Sequence, residues 1–458
     1  MVQSVPFVQL RSHVWLPVRR ALRLAPLGDI WHKPALSAVA ALAVVQLTLL
    51  AADRLDLVLY ASAGAMCALY GHALPYAARA RALAWVVLGM LSSTAIALVT
   101  AALTDSVAIR VAVAAALAGL HKAACDATRI GPPGNVVLTF MAAAAAFAPQ
   151  RLGDVPLHVG IGVAGGALAW MVGMAPALVR PGGPARIAAG RALEAAARLP
   201  RARAGDRHAL RRPRQAAVAG QDEAGPGRTT FRRVLLDVAG DWRTVAMVTG
   251  GTALAGWASM ALGVGRPYWA VVTAAAVFAA GTTASWNRAF QRVVGNLLGV
   301  ALFTLLAPLT GLGPLALVVT VLALQFVTEA AMTRNYWLGT VFVTPMAILM
   351  TEFAGRQPVA TLVADRWLDT CLGVAAGLPA CLLLLHRRAA HRRGRAARTR
   401  GRAALARLST LPMLPMLPVL RTLPARSAPA GSARQAGGGR DQAAVDDQVV
   451  PVDVGRLI

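Results

Sequence analysis

Five arginines, Arg79, Arg129, Arg288, Arg292 and Arg334, stand at the edges of long apolar runs. A guanidinium there matches a carboxylate bidentately and could form an anion path. Asp154, Glu329 and Asp369 lie in or beside such runs and are the candidates to carry a proton. An ionised side chain at membrane depth costs about 2.5 to 3.5 kcal/mol on insertion scales, which is why each is singled out. Plain structural roles compete. Arg79, Arg288 and Arg292 also suit charge anchors at helix starts. Arg151 with Asp154, and Arg366 with Asp369, are spaced to form local ion pairs on one helical face. Covalent chemistry has no support: the sequence holds no GxxxxGK[ST] loop, no HExxH and no GxSxG elbow. No enzyme activity, cofactor or metal is expected. His121, Lys122 and Asp126 do not have a metal-ligand spacing, and Cys67, Cys125, Cys371 and Cys381 form no CxxC pair.

These residues must be positioned by membrane helices. Of 458 residues, 57% are hydrophobic and only 14% charged, against about a quarter charged in soluble chains. A bilayer core takes about 20 apolar residues per helix. That ruler yields about twelve transmembrane helices in two sets of six: 35–52, 58–74, 83–103, 107–124, 134–148 and 155–179, then 244–262, 268–281, 293–307, 312–331, 336–350 and 367–385. The fifth of each set is the shortest on apolar content, and a broken or re-entrant helix is an alternative there. The fold class is therefore an all-α polytopic membrane protein. Its domains are a basic cytoplasmic leader at 1–34, a first six-helix repeat at 35–179, a basic cytoplasmic linker at 180–243, a second repeat at 244–386, and a basic, disordered tail at 387–458. Within the linker, only 187–199 reads as a short helix.

The 46 Lys and Arg against 20 Asp and Glu give a formal charge of +26. Under the twelve-span parse, 40 of the basic residues fall on one side and 6 on the other. Basic residues collect in cytoplasmic loops, so the chain reads as N-in and C-in. The excess is topology, and no nucleic-acid partner is expected.

The halves also read as copies. An offset of 205 brings Thr128, Arg129, Gly134 and Thr139 onto Thr333, Arg334, Gly339 and Thr344. An offset of 209 brings Tyr60 and Arg79 onto Trp269 and Arg288, and 215 brings Arg151, Asp154 and Gly162 onto Arg366, Asp369 and Gly377. An even number of helices per copy makes the repeats parallel, with a conduction path expected along their shared axis. Gly162-x3-Gly166, Gly295-x3-Gly299 and Gly373-x3-Gly377 read as helix packing. Tyr60, Tyr268, Trp269, Tyr336 and Trp337 read as interfacial belt residues, with stacking on an aromatic substrate the alternative.

The run 266–299, with Tyr268-Trp269-Ala270 followed by Arg288, Arg292, Gly295 and Gly299, resembles the fusaric acid resistance protein-like family of aromatic acid exporters. Asn335-Tyr336, Thr344-Pro345 and the group Arg366, Asp369, Thr370 and Gly373 extend the resemblance, and the first half looks like a more diverged copy. The resemblance implies a multi-pass plasma-membrane exporter of small organic, often aromatic, acids, whose partners are the lipid bilayer and small organic anions. It is compatible with a homo-oligomer. Proton coupling is the favoured drive, with a passive organic-anion channel and a non-transporting membrane scaffold as alternatives.

Overall fold

The computed structural model describes residues 21–26, 31–184, 186–187, 190, 231–279, 281–352 and 358–409. Contacts divide the chain into Met1–Gly394 and Arg395–Ile458. Of the second unit, 395–409 are described and are helical. All that follows concerns the first.

The helices used below are α1 (His32–Ala51), α2 (Leu55–Leu69), α3 (Tyr76–Leu103), α4 (Val107–Thr128), α5 (Asn135–Ala146) and α6 (Val155–Met174). They continue with α7 (Phe231–Gly240), α8 (Trp242–Ala261), α9 (Tyr268–Val277), α10 (Thr282–Leu306), α11 (Pro314–Arg334), α12 (Tyr336–Glu352) and α13 (Val359–Ser409). Local chemistry marks their ends. α6 and α11 carry proline in the first turn, where the missing N–H costs nothing. α4 stops at Arg129, which turns left-handed at φ 51° ahead of Gly131, Pro132 and Pro133.

Seven helical stretches are long and apolar enough to cross a membrane: His32–Ala51, Tyr76–Leu103, Val107–Thr128, Leu152–Val179, Thr282–Leu309, Pro314–Arg334 and Val359–Arg387. Only 28% to 44% of their apolar windows is buried inside the protein. Leu36, Val44, Trp85, Leu88, Ile96, Leu254, Leu297 and Leu383 all face outward. An apolar exterior on that scale needs lipid around it. Four further apolar helices are shorter: α2, α5, α9 and the 336–350 stretch of α12. The short helices thus include the second of each set as well as the fifth. α2 has an α-helical centre, Val58–Ala65, with a 3₁₀ turn on either side. In α9 all ten residues are buried, and the chain leaves it through an extended Phe278.

Packing interleaves the two halves. α4 lies along α8, and α1 lies along α11. Within the halves, α2 packs on α6, α3 and α4 on α5, and α10 and α11 on α12. The glycine pairs sit where backbones meet. A Cβ on Gly165 would stand 2.2 Å from the Ala61 carbonyl oxygen, and one on Gly377 would stand 2.8 Å from Ala274 Cα. Gly295 and Gly299 meet Thr340 and Thr344 in the same way, so α10 and α12 run parallel at close range.

Two expectations at the boundaries change. The linker holds helix α7 at Phe231–Gly240, outside the 187–199 stretch expected to be helical, which lies almost wholly beyond the described residues. α7 is amphipathic, with Arg232 and Arg233 exposed and Val234 and Val238 half-buried. Its ten residues are too few for a periodicity to stand out in an Arg- and Ala-rich stretch. The last helix also does not end near 386: it continues to Ser409, carried by Ala, Arg and Leu, which are all strong helix formers. The remainder of the expected disordered tail, 410–458, lies outside the described residues.

Candidate functional site

The polar residues of the second half gather between α10, α12 and α13. Arg288, Arg292 and Asn296 are four apart and stack on one face of α10, rising about 6 Å per step. Tyr336, Thr340 and Thr344 repeat that spacing on α12, and Arg366 and Thr370 on α13. At one end, the Arg288 guanidinium lies 4.4 Å from the centre of the Tyr336 ring. One turn further, Arg292 Nη1 donates to the Tyr336 hydroxyl at 3.1 Å, while its Nε is buried with no partner. In the middle, Thr344 Oγ1 donates to Asn296 Oδ1 at 2.5 Å, Asn296 Nδ2 donates to Thr370 Oγ1, and Thr370 Oγ1 donates to the Arg366 carbonyl at 2.8 Å. Asn296, Thr344 and Thr370 are fully buried.

The far end of this seam holds Arg366, which is 2% exposed. Its guanidinium lies 4.9 Å from the centre of the Trp269 ring, and Arg266 lies 5.2 Å from the same ring. A cation over an indole gains about 0.5 to 2 kcal/mol. The penalty for burying an unpaired ion is several kcal/mol, so the ring offsets only part of it. Arg366 Nε and Nη1 have no hydrogen-bond partner, and neither does Trp269 Nε1. Asp369 accepts from Ser259 Oγ at 2.5 Å on one carboxyl oxygen, and its other oxygen is buried without a partner.

That arrangement corrects the ion-pair expectation. Arg366 and Asp369 form no salt bridge, since one is held by Trp269 and the other by Ser259. Arg151 and Asp154 form none either, and both are exposed. The offset of 215 therefore joins residues in unlike surroundings. In the first half the ring facing α6 is Tyr60, stacked on His158 at 3.8 Å with 6° between planes. Both hold Gln150 Oε1, His158 at 2.9 Å and Tyr60 at 3.4 Å. By contact, His158 takes the place in the first half that Arg366 takes in the second. The belt assignment fails too for Trp269, Tyr268 and Tyr60, which are 0%, 6% and 7% exposed.

The other expected site residues are dispersed. Arg79 is 4% exposed, with Nη2 3.1 Å from His72 Nδ1 and Nε unpartnered. It makes no contact with Arg288, so the two do not share one vestibule. Arg129 and Arg334 are exposed at the C-terminal ends of α4 and α11 and do not converge on a common axis. Glu329 is half-buried on α11 and accepts from Gln325 Nε2 at 3.0 Å. Lys122 pairs with Asp126 at 2.5 Å, and His121 lies 3.3 Å from Thr139 Oγ1. Among the described residues no group of three His, Cys, Asp or Glu is placed to hold a metal. Sequence reading missed Ser259, Asn296 and the Trp269 to Arg366 contact. The spacing of four linking Arg288, Arg292 and Asn296 was the one signal that could have shown Asn296.

Comparison with known proteins agrees with a membrane protein of this type. The profile of the family described as fusaric acid resistance protein-like matches residues 254–380, which includes every residue of the seam. An uncharacterized membrane protein of Bacillus subtilis (strain 168), YvaC, is 30% identical over 175 residues, 36% of this chain. The alignment spans 27% of that relative's length. No solved structure matches.

Proposed function

We propose that the protein is a plasma-membrane secondary transporter that exports small organic acids, aromatic ones among them, in exchange for protons. The carrying observation is Arg366, a fully buried guanidinium with two unpartnered N–H groups and no carboxylate in contact. An anion with a carboxylate and a flat apolar body satisfies both: the carboxylate takes the N–H donors and the body lies among the rings. Arg288 and Arg292 would pass it toward Arg366 along α10. Asp369, with one oxygen unsatisfied, is the proton carrier nearest to Arg366, and its protonation strengthens Arg366 as an anion site. Glu329 is a second proton carrier on the face of α11 turned to the first half. Arg79 remains a separate anion-binding candidate. The exposed Arg129, Arg334 and Asp154 have no part in the path.

Twelve spans in two parallel six-helix repeats, with both ends cytoplasmic, are the architecture we infer. The pairing of α1 with α11 and α4 with α8 supports it, because the first and tenth segments meet as the seventh and fourth do. On this reading the path lies inside the second repeat rather than on the axis between repeats.

The test is flux of radiolabelled benzoate in proteoliposomes. Arg366→Gln should cut the initial rate at least tenfold, with Arg334→Gln within twofold of wild type. An imposed pH gradient should accelerate wild type and leave Asp369→Asn unaffected. Benzoate that moves equally with and without the gradient would establish passive conduction, and no movement through any sample would defeat the proposal.

A further inference from the structure

The seam has a cover at its Arg288 end. Residues 21–26 run across the surface formed by α10 and the turn between α11 and α12, far from them in sequence. Gln291 Nε2 donates to the Ala21 carbonyl at 2.6 Å, and Asn335 Nδ2 donates to the same oxygen at 3.0 Å. Trp337 Nε1 donates to the Leu22 carbonyl at 3.1 Å, and Asn335 Nδ2 reaches the Arg23 carbonyl at 2.8 Å. Ala25 pairs with Arg334 in both directions: its N–H donates to the Arg334 carbonyl at 2.9 Å, and Arg334 Nε donates to its carbonyl at 3.4 Å. Gln291 also donates to Asn335 Oδ1 at 2.8 Å, which locks the receiving side chains to one another. Ala21 is 5% exposed, so the contact is a seated one.

Two features turn this contact into a device. Gln291 and Trp337 are the immediate chain neighbours of Arg292 and Tyr336, so the covered surface is the rim of the seam. The donors receive nothing but main-chain carbonyls, three in succession. A carbonyl and a carboxylate oxygen are the same kind of acceptor, so an anion arriving at this rim competes for the donors that the strap holds.

We propose that residues 21–25 are a self-strap that closes the Arg288 end of the seam and must release Gln291, Asn335 and Trp337 before an anion enters. This rests on the seam being the anion path. The strap adds a gate at one end, driven by exchange of acceptors rather than by a change in the buried arginines.

The test locks and loosens the strap in the full-length chain, again with benzoate in proteoliposomes. An Ala21→Cys, Gln291→Cys pair in a Cys371→Ser background should form a disulfide on mild oxidation. The locked protein should move benzoate at least fivefold more slowly than the same protein after reduction. Ala25→Pro removes the N–H given to the Arg334 carbonyl without altering any receiving residue, and should raise the initial rate severalfold. Equal rates in locked and reduced protein would overturn the strap, as would failure of the disulfide to form or an Ala25→Pro rate at or below wild type. If benzoate moves through no sample, wild type included, the anion path itself falls and the gate with it. Movement that ignores the crosslink removes the gate alone.

Discussion

The second and sixth helices of each half meet in the same way, through glycines on the sixth, yet the rings at their contact carry different loads. In the first half Tyr60 stacks on His158, an imidazole that can be neutral, and Gln150 holds both. In the second half Trp269 lies under Arg366, which is charged at any physiological pH, and the remaining donors are left over. The first contact is satisfied within the chain and sits beside exposed Arg151 and Asp154, whereas the second is sealed and incomplete. Shared backbone packing with unlike side-chain satisfaction separates a scaffold from a site. The glycines hold two helices together in both halves, and only one half leaves a cation asking for a partner.

Substitutions at matched positions can break that comparison. The largest effect is expected at the cations: Arg366→Ala should lower benzoate flux at least tenfold and His158→Ala less than threefold. Similar losses at both would make the halves functionally equal. Next come the glycines, where Gly165→Val and Gly377→Val should each destabilise the fold by about 1 to 3 kcal/mol through overpacking. Thermal unfolding in detergent should find the two alike, and a large disparity would undo the common scaffold. Trp269→Leu removes a cation–π contact of about 1 kcal/mol and should cut flux a fewfold, while Tyr60→Leu should not. Smallest of all, Asp154→Asn should leave both flux and its pH-gradient response within error, in contrast to Asp369→Asn.

Much of this could be read before any coordinates. The apolar runs mark the helices because lipid and core both select apolar residues, and ends such as 76, 107, 155, 268 and 336 follow from Pro, Gly and charge at the boundaries. Arg288 and Arg292 were legible as a pair from their spacing of four. Burial was not. A run of Ala, Val and Leu does not say which neighbour covers a given face, so Trp269 read as a belt residue although ten consecutive residues of α9 are buried. Nor does spacing reveal that Arg366 and Asp369, three apart on one helix, turn to different partners on α9 and α8. The 215 offset failed for a related reason. It aligned residue types, while the register of α2 on α6 and of α9 on α13 aligns backbones. The seat of residues 21–25 was invisible because main-chain carbonyls carry no sequence signature.

That last feature sets what kinds of change the leader tolerates. Every group that Gln291, Asn335 and Trp337 receive is a carbonyl, which all twenty amino acids supply. Letters at 21 to 23 are therefore interchangeable as far as those donors are concerned, and drift there is nearly silent. Spacing is not interchangeable, because the segment is moored at Arg334 and then at His32, where α1 begins. One residue added or removed between those moorings shifts the carbonyls off their donors. The leader is thus written in length rather than in letters.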